Sequence, residues 1–245
     1  MTQDVGLYWF SQKGSSRKQN GDACSIFSSK SHVLAVIGDA SERGLRGDEY
    51  IEQWMRYVVD AVASADTPTY QLVFEKMEQG QAALRQHFPA ESACYGALFI
   101  DHHIKAAWTF ACGDCRVGLQ IENDEFKWMT PVHSRANWRG DEFTAEHAIL
   151  ESRHSVTRTL NSKRFQLPEI VKVEYNPSAT WILATDGYWV EQQIQKIPIP
   201  ELEDDASFLK ISANANGWRD HTTRKNWYHI TSGLNVPCRM LIPQQ

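Results

Sequence analysis

The sequence lacks the features of membrane, secreted and nucleic-acid-binding proteins. None of its apolar stretches approaches the about 18 residues that a membrane-spanning helix needs, so we expect no membrane partner. The N-terminal residues include Asp4 and form no apolar run, which argues against a signal peptide. There is no cluster of Lys and Arg, and the formal net charge is -5, so we expect no nucleic acid partner.

Cysteine is scarce, and the common nucleophile motifs are missing. The five cysteines are odd in number and scattered, which argues against a disulfide framework and predicts a cytoplasmic protein. Cys112 and Cys115 form a C-x-x-C pair, but no second pair at zinc-site spacing accompanies it, so a buried turn is favoured over a zinc site or a redox pair. No cysteine has an arginine six residues later, and there is no G-x-S-x-G, P-loop or G-x-G-x-x-G motif.

The remaining composition is that of a globular protein. Hydrophobic residues make up 42% of the chain and charged residues 22%, which permits a sizeable core and a single domain over residues 1–245. Apolar runs predict strands at 5–10, 32–38, 93–100, 104–111, 116–121, 125–129, 170–175 and 180–185. Hairpin turns are predicted at 101–103 and at Asn123-Asp124.

Two longer segments have the apolar spacing of helices. They cover residues 47–63 and 70–88, and both fall between the second and third predicted strands. Shorter helices are predicted at 189–195 and 202–213. Two helices between two blocks of mostly antiparallel strands indicate an α+β fold whose helices cover sheet faces.

Isolated aspartates stand beside the apolar strands. Asp22 precedes one strand, while Asp39, Asp114 and Asp186 follow others, and Asp220 lies near the C-terminal end. Any one of them is explained as an ordinary turn residue or helix cap. Three strands that end in G-D or D-G favour another interpretation, because carboxylates gathered at one sheet edge repel each other and are the preferred ligands of hard divalent cations.

The order of these motifs resembles that of the protein phosphatase 2C family, the metal-dependent Ser/Thr protein phosphatases. The motifs are R-x-x-N-(E/Q)-D at 17–22, D-G-x-G-G at 39–43 with G-E at 47–48, G-D-S-R at 113–116, L-T-x-D-H at 129–134, (T/S)-R-x-(L/I)-G at 157–161, T-D-G at 185–187 and D-N-x-T at 220–223. Each is weak alone, but together they occur in the family's order from about residue 6 to residue 223.

The resemblance implies a four-layer α-β-β-α sandwich with two metal ions, Mn2+ or Mg2+, at one end. Asp39 would bridge the two ions, and the backbone carbonyl of Ala40 would bind one of them. Asp186 and Asp220 would complete the other, and Asp22 would act through water. Asp114 matches the position that helps to hold a third, weaker ion in some members, and Arg17 would grip the substrate's phosphate.

The resemblance also implies the reaction: hydrolysis of phosphoserine and phosphothreonine on proteins by activated water. A phosphoprotein is then the substrate, and a Ser/Thr kinase of the same cell is the expected counterpart. The chain departs from the family pattern at Gly21, at the 40–43 segment, at Cys115 and at His221. These departures keep a second interpretation open, in which a catalytically impaired pseudophosphatase acts as a binding or regulatory module.

The segment 134–155 corresponds to the family's flap. It contains Arg135, Trp138, Arg139 and Arg153, which suit contact with a phosphopeptide. The alternative is a solvated surface loop.

Overall fold

The computed structural model of the protein describes residues 5–121, 125–212, 217–222 and 224–231. The strands are β1 Gly6–Gln12, β2 Asp22–Ser28, β3 His32–Ala40, β4 Ser92–Asp101, β5 Ala106–Cys112, β6 Arg116–Gln120, β7 Phe126–Trp128, β8 Leu160–Asn161, β9 Glu169–Val173, β10 Thr180–Ala184, β11 Ala206–Ser212, β12 Gly217–Thr222 and β13 Trp227–Thr231. The helices are α1 Gly47–Ala63, α2 Tyr70–Leu84, α3 Ala145–Ala148 and a π-type helix Gly187–Ile194, with 3-10 turns at Glu151–His154 and Ile199–Glu201.

The strands form two mostly antiparallel sheets. The first sheet has the order β12-β1-β11-β10-β6-β7, and the second has the order β13-β2-β3-β4-β5-β9, with β8 beside β4. Two pairs are parallel, β1 with β12 and β2 with β13. The C-terminal strands therefore lie on the edges of both sheets.

Three apolar layers separate four layers of secondary structure. Val33, Ala35 and Ile37 face the core between the two sheets, while Leu34 and Val36 alternate with them and face the core under α1 and α2. A third core lies between the outer face of the first sheet and the π-type helix. Both faces of β3 are thus covered, which explains its continuous apolar sequence. The α-β-β-α sandwich predicted from the sequence is confirmed.

Most predicted elements are confirmed. The helix predicted at 47–63 has the bounds of α1, and the one at 70–88 is helical to Leu84. The helix predicted at 189–195 falls mostly within the π-type helix, Gly187–Ile194. The predicted turn at Asn123-Asp124 lies outside the described residues. In the described part of the chain, no helix has the length and apolar character of a membrane span.

The helix predicted at 202–213 is wrong. Residues Ala206–Ser212 form β11, a central strand of the first sheet, and Ala213 lies outside the described residues. β11 is buried on both faces, against the second sheet and against the π-type helix. Its apolar residues therefore do not alternate with polar ones, and the sequence can be fitted to a helical period.

A buried carboxylate fixes the entry into α1. Glu91 is 6% exposed, and its Oε1 accepts hydrogen bonds from the backbone N–H groups of Leu45 (3.1 Å) and Arg46 (3.1 Å). A helix N-terminus leaves such donors without intrahelical partners, so an anion there is stabilising. This contact holds the segment 41–46, which includes part of the divergent 40–43 stretch, against the end of the sandwich.

Candidate active site

The first two aspartates are neighbours across a strand pair. Asp22 opens β2 and Asp39 lies near the end of β3, and the two are directly opposite each other in the antiparallel register. Directly opposed residues project to the same face of a sheet with Cβ atoms about 5 Å apart. The register of β2 and β3 therefore places two carboxylates side by side.

Asp186 reaches the same end of the molecule from the other sheet. It follows β10 and directly precedes the π-type helix. The preceding residue, Thr185, donates a hydrogen bond from its hydroxyl to Asp22 Oδ2 at 2.9 Å. Asp114 lies in the turn between β5 and β6, and its backbone carbonyl accepts a hydrogen bond from the Trp189 indole at 2.8 Å. Four of the sequence-predicted aspartates are thus gathered at one end of the sandwich.

Burial and mutual repulsion raise the pKa of each of these carboxyls. For Asp22, Asp39 and Asp186 burial is the largest cause, and neighbouring aspartates add to it. Burial also raises the pKa of Asp114, partly offset by a hydrogen bond with the thiol of Cys94. The cluster therefore holds its charge only at a cost in free energy, which an added cation would offset.

The structure adds Asp204 and Asp205 to this cluster. They directly precede β11, and the charge of Asp204 raises the pKa of Asp22, Asp39 and Asp186. The sequence from Asp204 to Ser207 reads D-D-A-S before an apolar strand, which is the D-N-x-T pattern with two substitutions. That signal was present in the sequence, but it was hidden in an acidic run at the start of a segment interpreted as a helix.

Asp220 is placed elsewhere, so its predicted metal role is corrected. It lies on β12 opposite Trp9, with an exposed side chain that accepts a hydrogen bond from the Trp218 indole at 3.3 Å. On β1, Ala206 is paired with Gln12, whereas Asp220 is paired with Trp9. Asp205, one residue before Ala206, is therefore displaced from Asp220 by four residues along β1, which is about 13 Å at a rise of about 3.3 Å per residue. The rest of the motif predicted there includes Thr223, which lies outside the described residues.

Asp205 fixes the loop that carries Arg17. Its Oδ1 accepts a hydrogen bond from Gly14 N at 2.8 Å, and its Oδ2 accepts one from Gly21 N at 2.7 Å. One carboxylate therefore closes both ends of the segment 14–21. Burial raises the pKa of Asp205, although these two hydrogen bonds oppose that shift.

Arg17 lies at the edge of the carboxylate cluster. Its Nε and Nη2 contact Asp204 Oδ1 at 2.7 and 2.6 Å, and its Nη1 contacts Glu42 Oε2 at 2.6 Å. Burial alone would lower its pKa, but the hydrogen bonds to Glu42 and Asp204 and their charges raise it overall. The guanidinium therefore stays charged and stands beside the place where the acidic residues gather.

Ala40 keeps an ordinary backbone conformation. Among the described residues, the non-glycine residues with positive φ are Lys105 and Lys196, so Ala40 replaces the family's glycine without strain. Its N–H donates to Gly21 O at 3.2 Å, which joins the ends of β2 and β3. The substitution therefore does not prevent the Ala40 carbonyl from serving as a ligand.

An arginine from the predicted flap reaches into the cluster. Arg153 Nη1 contacts Asp186 Oδ2 at 3.2 Å, and its Nη2 lies 3.8 Å from Glu191 Oε1. The side chain of Arg153 is 10% exposed, so this ion pair is shielded from solvent. The positive charge of Arg153 thus neutralises part of the negative charge of the acidic cluster.

The donor chemistry of the cluster suits a hard divalent cation. Asp22 Oδ1 and Asp114 Oδ1 are buried and have no hydrogen-bond partner, which is an energetic cost that a bound cation would remove. Over the described ranges, no three His, Cys, Asp or Glu side chains already converge as a metal site. A cation bound at Asp186 would therefore have to compete with Arg153 for that carboxylate.

We expect the cluster to make the metal-free protein less stable as the pH rises. A carboxyl whose pKa is raised in the folded state contributes stability that is present below its unfolded pKa, about 3.9, and is lost as the pH passes the raised value. In EDTA, Asp39→Asn should therefore gain stability relative to the natural chain between pH 5 and pH 8. Urea unfolding of both proteins across that range measures the difference, and a difference that is independent of pH would contradict the expectation.

Sequence comparison finds no relative, whereas structural comparison does. No protein-family model matches the chain, and no curated protein matches it significantly. The PPM Ser-Thr phosphatase MsPP from Mycobacterium smegmatis, solved with cacodylate, has a TM-score of 0.70 and 17% identity, covering 85% of this chain and 98% of that chain. The serine/threonine phosphatase Stp1 from Staphylococcus aureus has a TM-score of 0.68 and 13% identity, covering 85% and 95%.

A third structure is the catalytic domain of the serine threonine protein phosphatase PstP, in complex with two manganese ions. It has a TM-score of 0.63 and 13% identity, covering 85% of this chain and 97% of that chain. Nearly the whole length of each of these proteins is matched, and TM-scores of 0.63 to 0.70 establish a common architecture despite identities of 13–17%. The protein therefore has the fold of the PPM serine/threonine phosphatases.

Proposed function

We propose that the protein is a metal-dependent phosphatase of the PPM, or protein phosphatase 2C, family that hydrolyses phosphoserine and phosphothreonine on proteins. The observation that carries this proposal is the gathering of Asp22, Asp39, Asp186 and Asp204 at one end of the sandwich, next to the guanidinium of Arg17. The folds of MsPP, Stp1 and PstP support the same assignment.

Within this proposal the carboxylates hold two divalent cations. Asp39 would hold both ions, the Ala40 carbonyl and the carboxylates of Asp186 and Asp204 would supply further oxygen ligands, and Asp22 would act through water. Asp114 holds a third, weaker ion. When bound, such ions lower the pKa of water and stabilise charge on the phosphoryl oxygens. Mn2+ and Mg2+ are the suitable ions, because both favour carboxylate, carbonyl and water oxygens.

Arg17 orients the phosphate in this scheme. A guanidinium offers planar, paired N–H donors that match two phosphate oxygens, and its raised pKa keeps it charged. Asp204 contacts the Nε and Nη2 atoms of Arg17, so the position of the guanidinium is fixed before substrate binds. The substrate is a phosphoprotein, and a Ser/Thr kinase in the cytoplasm is the expected counterpart.

Two contacts favour the alternative of a non-catalytic regulatory module. Glu42 contacts the arginine that should bind phosphate, and Arg153 contacts an aspartate that should bind metal. A protein that has lost turnover would keep the sandwich and could replace phosphate and metal with such internal ion pairs.

Hydrolysis of p-nitrophenyl phosphate and of a phosphothreonine peptide, with Mn2+ titrated against EDTA, separates the two functions. We expect turnover that depends on Mn2+, saturates with metal and is abolished by EDTA. Zero turnover on both substrates, in a protein whose melting temperature still rises with Mn2+, would overturn the phosphatase assignment in favour of the regulatory module. Asp66→Asn, which removes an exposed carboxylate from the turn between α1 and α2, is the matched control.

A further inference from the structure

The guanidinium of Arg17 is already engaged on both of the edges that could grip a phosphate. One edge consists of Nε and Nη2, and both atoms contact a single oxygen of Asp204, at 2.7 and 2.6 Å. The other edge consists of Nη1 and Nη2, and its Nη1 contacts Glu42 Oε2 at 2.6 Å. A phosphate that binds the Nη1–Nη2 edge through two oxygens therefore meets the carboxylate of Glu42 at Nη1 and competes with it for this guanidinium.

The two carboxylates differ in how easily they can leave. The side chain of Asp204 is 13% exposed, and the same Oδ1 also accepts a hydrogen bond from Asp205 N at 2.7 Å. The side chain of Glu42 is 61% exposed, and it lies on the segment before α1 rather than inside the cluster. Release of Glu42 exposes no unpaired buried group, whereas release of Asp204 would. Glu42 is therefore the partner that substrate would replace.

The position of Glu42 is set by the fold. The segment 41–46 is anchored at its far end by Glu91, which accepts the N–H groups of Leu45 and Arg46. At its near end, Ser41 N donates to Ser92 O at 2.9 Å, and the Arg43 N–H lies 3.4 Å from the Ser41 hydroxyl. Glu42 thus stands in a short turn that is fixed on both sides and directed at Arg17.

We propose that Glu42 is an internal anionic ligand of Arg17 that competes with the phosphate of the substrate and so sets the affinity of the site for phosphate monoesters. This rests on the proposed function, because it takes Arg17 as the phosphate-binding residue. A carboxylate and a phosphate compete for the same N–H groups, so removal of the Glu42 charge frees Nη1 and also removes a repulsive charge beside the incoming anion.

The test measures binding of inorganic phosphate by calorimetry to the Mg2+-loaded full chain at fixed ionic strength, so it does not depend on turnover. We expect Glu42→Gln to bind phosphate about 2- to 5-fold more tightly than the natural chain, the range for one largely exposed ion pair. Glu203→Gln is the matched control, because it removes an exposed carboxylate from a neighbouring loop. The Ser16 hydroxyl donates to the backbone carbonyl of Glu203, and the substitution keeps that carbonyl. It should leave the affinity unchanged.

A double-mutant cycle shows whether the effect acts through Arg17. In the Arg17→Ala background, Glu42→Gln should give a smaller gain in phosphate affinity, because only the repulsion between the two anions is then relieved, and an undiminished gain would overturn the competition for Arg17. An equal affinity of Glu42→Gln and the natural chain, or an equal gain from Glu203→Gln, overturns the competition while the phosphatase assignment stands. Absence of phosphate binding in all variants, with Mg2+ still raising their melting temperatures, overturns the phosphate site itself and the competition with it.

Discussion

Asp39→Asn should abolish turnover and the stabilisation by Mn2+, because it removes the carboxylate that we propose holds both cations. At a Mn2+ concentration about 100 times the Kd, one bound ion stabilises the native state by about 2.7 kcal/mol. For a chain of this size that corresponds to a rise in Tm of about 5–10 °C. The variant should lose this rise, and its rate on p-nitrophenyl phosphate should fall to the level seen in EDTA.

The same variant should not be destabilised when metal is absent. Asp39 is buried among other aspartates, which raise its pKa, so the neutral amide removes a repulsive charge from the folded state. Thermal melts in EDTA should therefore give a Tm equal to or above that of the natural chain. A variant that melts at a lower temperature in EDTA, or that keeps the rise with Mn2+, would show that Asp39 has a structural role and does not bridge metal.

Asp204→Asn should lower kcat/KM by about 100-fold or more, whereas Asp220→Asn should change it less than about twofold. Asp204 adds its charge to the cluster and also fixes the Nε edge of Arg17, so its loss should weaken both the proposed metal site and the proposed phosphate site, at a cost of several kcal/mol. Asp220 is exposed on β12, away from the cluster, where a charge-neutral substitution has little effect.

Steady-state kinetics of both variants, together with calorimetric titration of Mn2+, distinguish these residues. Asp204→Asn should bind Mn2+ more weakly, while Asp220→Asn should bind it like the natural chain. The opposite result, with the large loss at Asp220, would restore the original assignment of the D-N-x-T motif to residues 220–223 and leave Asp204 as an anchor for Arg17 alone.

The fold was predictable where one periodicity dominated. α1 has a single apolar stripe, so its bounds followed from the sequence, and β3 is an uninterrupted apolar run. β11 was not predictable in this way, because a strand buried on both faces has no alternation. Leu202, which precedes β11, and Ala206 and Leu209 within it also recur at helical intervals. The end of α2 was placed four residues late because Phe88, beyond the helix, is buried and continues its apolar pattern.

The candidate site was predictable for residues that end a recognisable strand. Asp39, Asp114 and Asp186 do so, Asp22 opens a strand, and the structure brings all four to one end of the sandwich. Asp204 was missed because it lies in an acidic run before a strand that was interpreted as a helix. The ion pairs of Glu42 and Arg153 join residues far apart in the chain, so no local pattern indicates them.

The pairing of the last strands with the first has a consequence for how the chain folds. β12 completes the edge beside β1, and β13 completes the edge beside β2, with partners more than 200 residues apart, such as Cys24 and Trp227. Closing such distant contacts is slow, and it cannot begin on the ribosome until the C-terminal segment has emerged. A nascent chain therefore carries the strand that begins with Asp22 with one unpaired edge until residues 227–231 have been synthesised, and an unpaired strand edge promotes aggregation.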